Sequence, residues 1–211
     1  MLKSIRDRFW GKAEALPACV DDGRRIYAIG DVHGRVDLLT QLLDMIREDT
    51  LARTTDATTQ LIFLGDLIDR GPDSRAVVEL VRDLCQTTAC TALMGNHEEV
   101  LISVLEGNLK ALPFFLRLGG SETLESYGLD REFLDQETPE VIHDAMLTAI
   151  PDEHQAFFKA MPSMLECGDY LFVHAGIRPR VPVDAQAEND MHWIRNDFLD
   201  IVRITRHLES R

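Results

Sequence analysis

The chain is 211 residues long, 45% hydrophobic, and carries a formal charge of −14. That is enough apolar content for one domain with a sizeable core, while no stretch approaches the roughly 20 apolar residues of a membrane span. The acidic balance excludes a general nucleic-acid binder, because such proteins need a basic surface to release counterions from phosphates.

Residues 1–23 read as an N-terminal extension ahead of a domain over 24–211. In it Leu2, Ile5, Phe9 and Trp10 are mixed with Lys3, Arg6, Arg8 and Lys12, a pattern that more often packs on its own domain or frays than lies on a membrane. The first β-type run, Arg25 to Ile29, is stopped by Gly30 and opens into GDVHG at 30–34; helical spacing of Val36, Leu38, Leu39, Leu42, Leu43, Met45 and Ile46 follows. Gln60 to Leu64 leads into GDLIDRG at 65–71, and Ala76, Val77, Leu80, Val81 and Leu84 repeat at helical spacing behind it. Cys90 to Met94 leads into GNHE at 95–98. From about 98 to 162 the text is helical, with Val100, Leu101, Val104 and Leu105 on one face, and reads as a helical insertion over the cleft. Tyr170 to Val173 then runs straight into HAGIRP at 174–179, and 184–190 is polar loop text. Strand, polar loop and helix in alternation predict an α/β fold, in which helices cover a sheet and the carboxyl ends of its strands stay open for ligands.

Cys19, Cys85, Cys90 and Cys167 show no CxxC-type spacing and no signal-like apolar segment precedes them, so the expectation is reduced thiols in the cytoplasm. His143, His154 and His192 lie without acidic or Cys partners at ligand spacing and are expected to be packed or exposed, not functional.

The polar clusters carry the chemistry. Residues two apart at a strand end project to the same side, so Asp31 and His33 can clamp one divalent ion. Asp66 can bridge to a second ion roughly 3.5–4 Å away, the separation suited to hydrolysis at phosphorus, and Asn96 and His174 can serve that second ion. Oxygen and nitrogen ligands without thiolate favour Mn, Fe or Zn, with manganese first. An Asp69 bonded to His97 would fix its tautomer and raise its basicity, making His97 a general acid for the leaving alkoxide. Arg70 and Arg178 could grip phosphate oxygens, and Gly65 and Gly71 would let the loops approach closely.

These clusters, in this order, resemble the phosphoprotein phosphatase family of the calcineurin-like metallophosphoesterases, particularly its small bacterial and phage serine/threonine phosphatases. GGSETLESYG at 119–128 and HWIRNDFL at 192–199 extend the likeness over roughly residues 24–200. The resemblance implies first-metal ligands Asp31, His33 and Asp66, second-metal ligands Asp66, Asn96 and His174, phosphate contacts from Arg70 and Arg178, and the acid dyad His97 with Asp69. It implies direct attack on phosphorus by a metal-bridging hydroxide, without a phosphoenzyme.

The resemblance also implies a further histidine, in an HGHT-like stretch, and closing strands of a two-sheet sandwich. After Asp200 the text reads IVRITRHLESR, and His207 stands 33 positions past His174 (207 − 174), followed by Leu208 and Glu209. The expectation is therefore a β-sandwich flanked by helices that lacks its C-terminal strands, with one ligand of the second metal replaced by water and apolar surface left uncovered. Three functions compete. A serine/threonine phosphoprotein phosphatase is favoured by Asp69 in GDLIDRGP. A symmetrical bis(nucleosyl) tetraphosphatase shares the metal motifs but reads more like GDLVARGP. A non-catalytic remnant is favoured only by the missing terminal ligand. The expected partners are a phosphoprotein or a small phosphate ester, with no nucleic acid and no membrane span.

Overall fold

Three parallel strands position the functional loops. The computed structural model describes residues 18–53 and 56–200, so the expectations placed on residues 1–12 and on His207 lie outside the described residues. Strands β1 (Arg24–Ile29), β2 (Thr58–Phe63) and β3 (Cys90–Ala92) pair in that order. Ile29 stands opposite Phe63, and Phe63 opposite Ala92. The three loops that follow therefore leave the sheet at one level.

The predicted strands reached one or two residues further, to Leu64 and Met94. That backbone is still bonded there: Leu64 N donates to Ile29 O and Leu93 N to Phe63 O, both at 2.8 Å, while Met94 N turns to Pro162 O at 2.9 Å. Parallel strands need crossovers, which α1 (Val36–Ala52) and α2 (Ser74–Thr87) supply. Helix α2 buries Val77 and Val81 of the stripe its spacing predicted, half-buries Ala76, Leu80 and Leu84, and also buries Val78, which the spacing had not singled out. Helix α1 fully buries only Leu39 and leaves Leu38, Leu42, Met45 and Leu51 exposed.

The stretch expected to be helical begins with α3 (Asn96–Leu105), whose first three residues belong to the GNHE cluster. It continues as α4 (Leu112–Phe115), α5 (Ser121–Ser126), α6 (Arg131–Gln136), α7 (Pro139–Ala149) and α8 (Asp152–Lys159). Local chemistry sets these ends: Asp130 caps α6 by accepting from Glu132 N at 2.8 Å, and α7 starts on Thr138-Pro139. Phe115, Leu124, Leu134, Ile142, Met146 and Phe158 share one continuous core with Leu67, Ile68, Val77, Val81 and Leu101. These helices are therefore part of the core that supports the site.

A second sheet is an antiparallel hairpin, β4 (Met164–Cys167) and β5 (Tyr170–Val173), turning at Gly168-Asp169 with Cys167 opposite Tyr170. The chain then passes His174 and is tied to α9 (Glu188–Trp193) by Ala175 N donating to Met191 O at 2.7 Å. The polar text at 184–190 thus ends inside a short helix. The α/β alternation read from the sequence is the one observed. No helix among the described residues is long and apolar enough to cross a membrane.

Candidate metal centre

The motif loops are knitted together by backbone bonds. Val32 N and His33 N both donate to Asp66 O, at 2.9 and 3.0 Å, and Gly34 N donates to Leu67 O at 2.8 Å. The fully buried Glu98 binds the next layer, its carboxylate accepting from Asp66 N at 2.9 Å, Leu67 N at 2.8 Å and Gly95 N at 3.1 Å. Burial and the Asp66 charge raise the Glu98 pKa, and the backbone N–H groups work in the opposite direction.

This scaffold holds backbone that non-glycine residues rarely adopt: φ is 46° at His33, 54° at Asp66, 72° at Asp69 and 68° at Arg70. Each such conformation costs about 1–3 kcal/mol and persists only where surrounding bonds over-determine it, as they do here. Two glycines are needed for contact. A Cβ on Gly71 would lie 2.0 Å from His33 O, and one on Gly65, where φ is 96°, would lie 2.5 Å from Gly95 N.

Five side chains converge around Asp66 Oδ2. His33 Nε2 lies 3.9 Å from it and 3.8 Å from Asp31 Oδ2; His174 Nε2 lies 3.5 Å from it and 2.9 Å from Asn96 Oδ1. The tautomers are set from behind, since His33 Nδ1 donates to Ile68 O at 2.7 Å and His174 Nδ1 to Leu64 O at 2.8 Å. Both Nε2 lone pairs consequently face acceptors, and His33 Nε2 is buried without a hydrogen-bond partner. A set of carboxylate, amide and imidazole acceptors turned on one another needs cations between them. Among the described residues two groups have donor atoms all within 4.8 Å, Asp31 with Asp66 and His174, and His33 with Asp66 and His97. Asp66 belongs to both. These residues fit a pair of divalent ions, and the positive N-terminal end of α3 keeps the Asp66 carboxylate charged, with His97 N donating to Asp66 Oδ1 at 3.2 Å.

His97 and Asp69 are in contact. His97 Nδ1 lies 2.6 Å from Asp69 Oδ2, and the other carboxylate oxygen accepts from Thr123 Oγ1 at 2.6 Å. Burial raises the Asp69 pKa, while the bonds from His97 and Thr123 pull it back. Burial lowers the His97 pKa, but the Asp69 bond and the Asp66 charge more than reverse this and raise it above the ordinary histidine value. His97 Nε2 meets Arg70 Nη2 at 2.9 Å. With a proton on Nδ1, this Nε2 accepts from the guanidinium.

The structure brings Asp31, His33, Asp66, Asp69, Arg70, Asn96, His97 and His174 together, and Arg178 is engaged by carboxylates. Its guanidinium is paired with Asp190 at 2.6 Å and Asp197 at 3.0 Å. His143 lies 3.4 Å from Leu105 O, His154 is buried against Tyr127, and His192 is buried against Glu99. Three supporting residues were not singled out from the sequence. Besides Glu98, Ser74 Oγ and Thr123 Oγ1 accept from Asp69 N at 3.1 and 2.8 Å and so hold the left-handed Asp69 in place.

A model of the calcineurin-like phosphoesterases matches residues 24–210. The symmetrical bis(5'-nucleosyl)-tetraphosphatase of Methylococcus capsulatus is 31% identical over 154 residues, covering 73% of this chain and 44% of that protein. The asymmetrical bis(5'-nucleosyl)-tetraphosphatase PrpE of Oceanobacillus iheyensis is 36% identical over 88 residues, 40% of this chain and 34% of that one. A solved structure described as a candidate diadenosine tetraphosphatase superposes with a TM-score of 0.52 at 21% identity, covering 82% of this chain and 60% of that one, a likeness of fold. The chain spans less than half the length of the Methylococcus relative, 44%.

Proposed function

The chain belongs to the calcineurin-like phosphoesterase family, and from that premise we propose that it hydrolyses phosphate esters or anhydrides with two divalent metal ions, acting on a dinucleoside polyphosphate. The observation that carries the reading is the meeting of two acceptor groups at Asp66. In this reading Asp66 would be shared by both ions; the family resemblance assigns Asp31, His33 and Asp66 to one and Asp66, Asn96 and His174 to the other, while the donor atoms as they stand set Asp31 beside His174 and His33 beside His97. When bound, such ions supply Lewis-acid charge for the phosphoryl oxygens and lower the pKa of water. Manganese, iron and zinc all suit these donors, with manganese the first to test.

The chain's own residues do the rest. Arg70, exposed and with its guanidinium meeting His97, would turn outward to a phosphate oxygen. That releases His97 Nε2 to carry a proton toward the departing oxygen, while Asp69 stabilises the charged ring. Arg178 would reach a phosphate only by exchanging Asp197 or Asp190 for it.

This order of readings reverses the one drawn from the motifs, in which a phosphoprotein substrate came first. The dinucleoside substrate is supported by the names borne by the relatives that match 73% of this chain. The phosphoprotein reading retains one specific observation, the Asp69–His97 contact of 2.6 Å, because a serine alkoxide needs a proton to leave whereas a nucleotide does not. A side-by-side assay with manganese of a dinucleoside tetraphosphate, a phosphoserine peptide and p-nitrophenyl phosphate tests the choice. The expected result is the highest kcat/KM on the tetraphosphate. A higher value on the peptide restores the phosphoprotein reading, and metal binding without turnover on any of the three leaves a non-catalytic phosphate binder.

A further inference from the structure

The corner between α2 and β3 is two residues long, Thr88 and Ala89, and it sets Cys85 in the last turn of the helix against Cys90, the first residue of the strand. Their Sγ atoms are 3.0 Å apart. A disulfide bond measures about 2.05 Å, so an approach of about 1 Å would close it. The corner is pinned by bonds that use neither thiol: Thr88 N and Oγ1 donate to Leu84 O at 2.9 and 2.8 Å, Cys90 N donates to Thr88 O at 2.9 Å, and Leu61 N to Ala89 O at 2.9 Å. Closure takes no donor or acceptor away from any of these bonds. Both cysteines are half-buried while residues 86–89 between them are exposed, so a small reagent can reach the pair.

We propose that Cys85 and Cys90 are a dithiol modification site that closes reversibly to an intramolecular disulfide, with a low-molecular-weight disulfide such as oxidised glutathione as co-substrate. The site stands apart from the metal centre, since Cys90 opens β3 and the GNHE cluster follows its other end. The shared hydrogen bond lets one sulfur be the thiolate while the other keeps its proton, and either atom can be the donor. The exchange is given with Cys85 attacking first, and the opposite order leads to the same product.

In the first step the Cys85 thiolate attacks one sulfur of the reagent's S–S bond, which breaks and expels one thiolate, leaving a mixed disulfide on Cys85. Cys90 then gives its proton to the expelled thiolate and attacks Cys85 Sγ, and the second half of the reagent leaves as a thiolate that takes a proton from solvent. Two protein thiols lose two electrons, and the reagent's disulfide is reduced to two thiols.

The test is peptide mapping of the full chain after exposure to oxidised glutathione, acid quenching and alkylation of free thiols. Trypsin places both cysteines in one peptide, Asp83 to Lys110. The expected result is loss of alkylation at both positions and a peptide two hydrogens lighter, reversed by dithiothreitol. In the Cys90→Ala variant the reaction should stop at a glutathione adduct on Cys85. Full alkylation of Cys85 and Cys90 while the exposed Cys19 has been modified would overturn the proposal. So would a stable glutathione adduct on the wild-type pair, or cross-links joining it to another peptide; these outcomes need only the wild-type chain.

Discussion

Asp69 Oδ2 lies 2.6 Å from His97 Nδ1, with both side chains withdrawn from solvent and Thr123 closing the far side of the carboxylate. A carboxylate in that place favours the charged ring, which a proton donor to a leaving group needs. His97→Asn should reduce turnover of a phosphoserine peptide by about 10²- to 10⁴-fold, the usual worth of general acid catalysis, and reduce p-nitrophenyl phosphate turnover far less. The measurement is kcat for both substrates at saturating manganese. Equal losses on the two would assign His97 to metal binding, which its place in a group with His33 and Asp66 also allows.

Asp66 is the residue on which both ligand groups depend. Removing its charge by Asp66→Asn takes a shared negative ligand from two cations and should lower metal content and turnover together. Elemental analysis after gel filtration measures the first. Full occupancy by two ions in the variant would remove Asp66 from the bridging role.

The parts of this site that were legible are those with a periodic or terminal signature. Apolar runs broken by glycine mark strand ends, and the residues at those ends are Asp31, Asp66 and Asn96, so sequence order and spatial convergence coincide. Supporting residues have no such signature. Glu98 acts by accepting backbone N–H groups from residues 30–32 positions away, which any carboxylate could do and no spacing announces. Thr123 reaches Asp69 across 54 positions, inside the GGSETLESYG stretch that extended the family likeness without giving this residue a role. Arg178 is the converse case. Its type and its position after His174 suit phosphate, but Asp190 and Asp197, 12 and 19 positions on, occupy its guanidinium. The Cys85–Cys90 contact depends on how tightly the α2–β3 corner turns, which residue spacing alone leaves open.

Glu98→Gln tests the scaffold without changing side-chain shape. One acceptor oxygen survives, but the amide NH₂ must then face backbone N–H groups, those of Asp66 and Gly95 if the oxygen stays on Leu67. An unsatisfied buried donor costs about 1–3 kcal/mol, partly offset because the substitution also removes a charge that repels Asp66. The net expectation is a loss of about 1–3 kcal/mol in urea unfolding of the metal-free chain, together with weaker metal binding as the Asp66 loop loosens. A variant of wild-type stability that still lost metal would show that Glu98 acts through charge and not as a backbone anchor.

His154 provides a pH dependence that is independent of the metal centre. It is buried, with Nδ1 2.9 Å from Tyr127 Oη. Burial lowers its pKa from the ordinary 6.5, helped by Arg82 and Arg75 and opposed by Glu79 and Glu153. In the window from 6.5 down to the folded pKa the unfolded chain binds the proton and the folded chain does not, so stability is lost as pH falls through that window and is unaffected above it. A neutral His154 also accepts from the Tyr127 hydroxyl, a bond that protonation of Nδ1 would abolish. His154→Gln keeps an acceptor and cannot titrate. Urea unfolding at pH 7.5 and pH 5.5 should show a larger acid-side loss in the wild type than in the variant, both stripped of metal. Because every carboxylate and histidine of the metal site titrates alike in the two chains, the difference between their losses isolates this one ring. Equal losses would mean that His154 takes up its proton at the same pH folded and unfolded, with burial and the two arginines fully offset by Glu79 and Glu153.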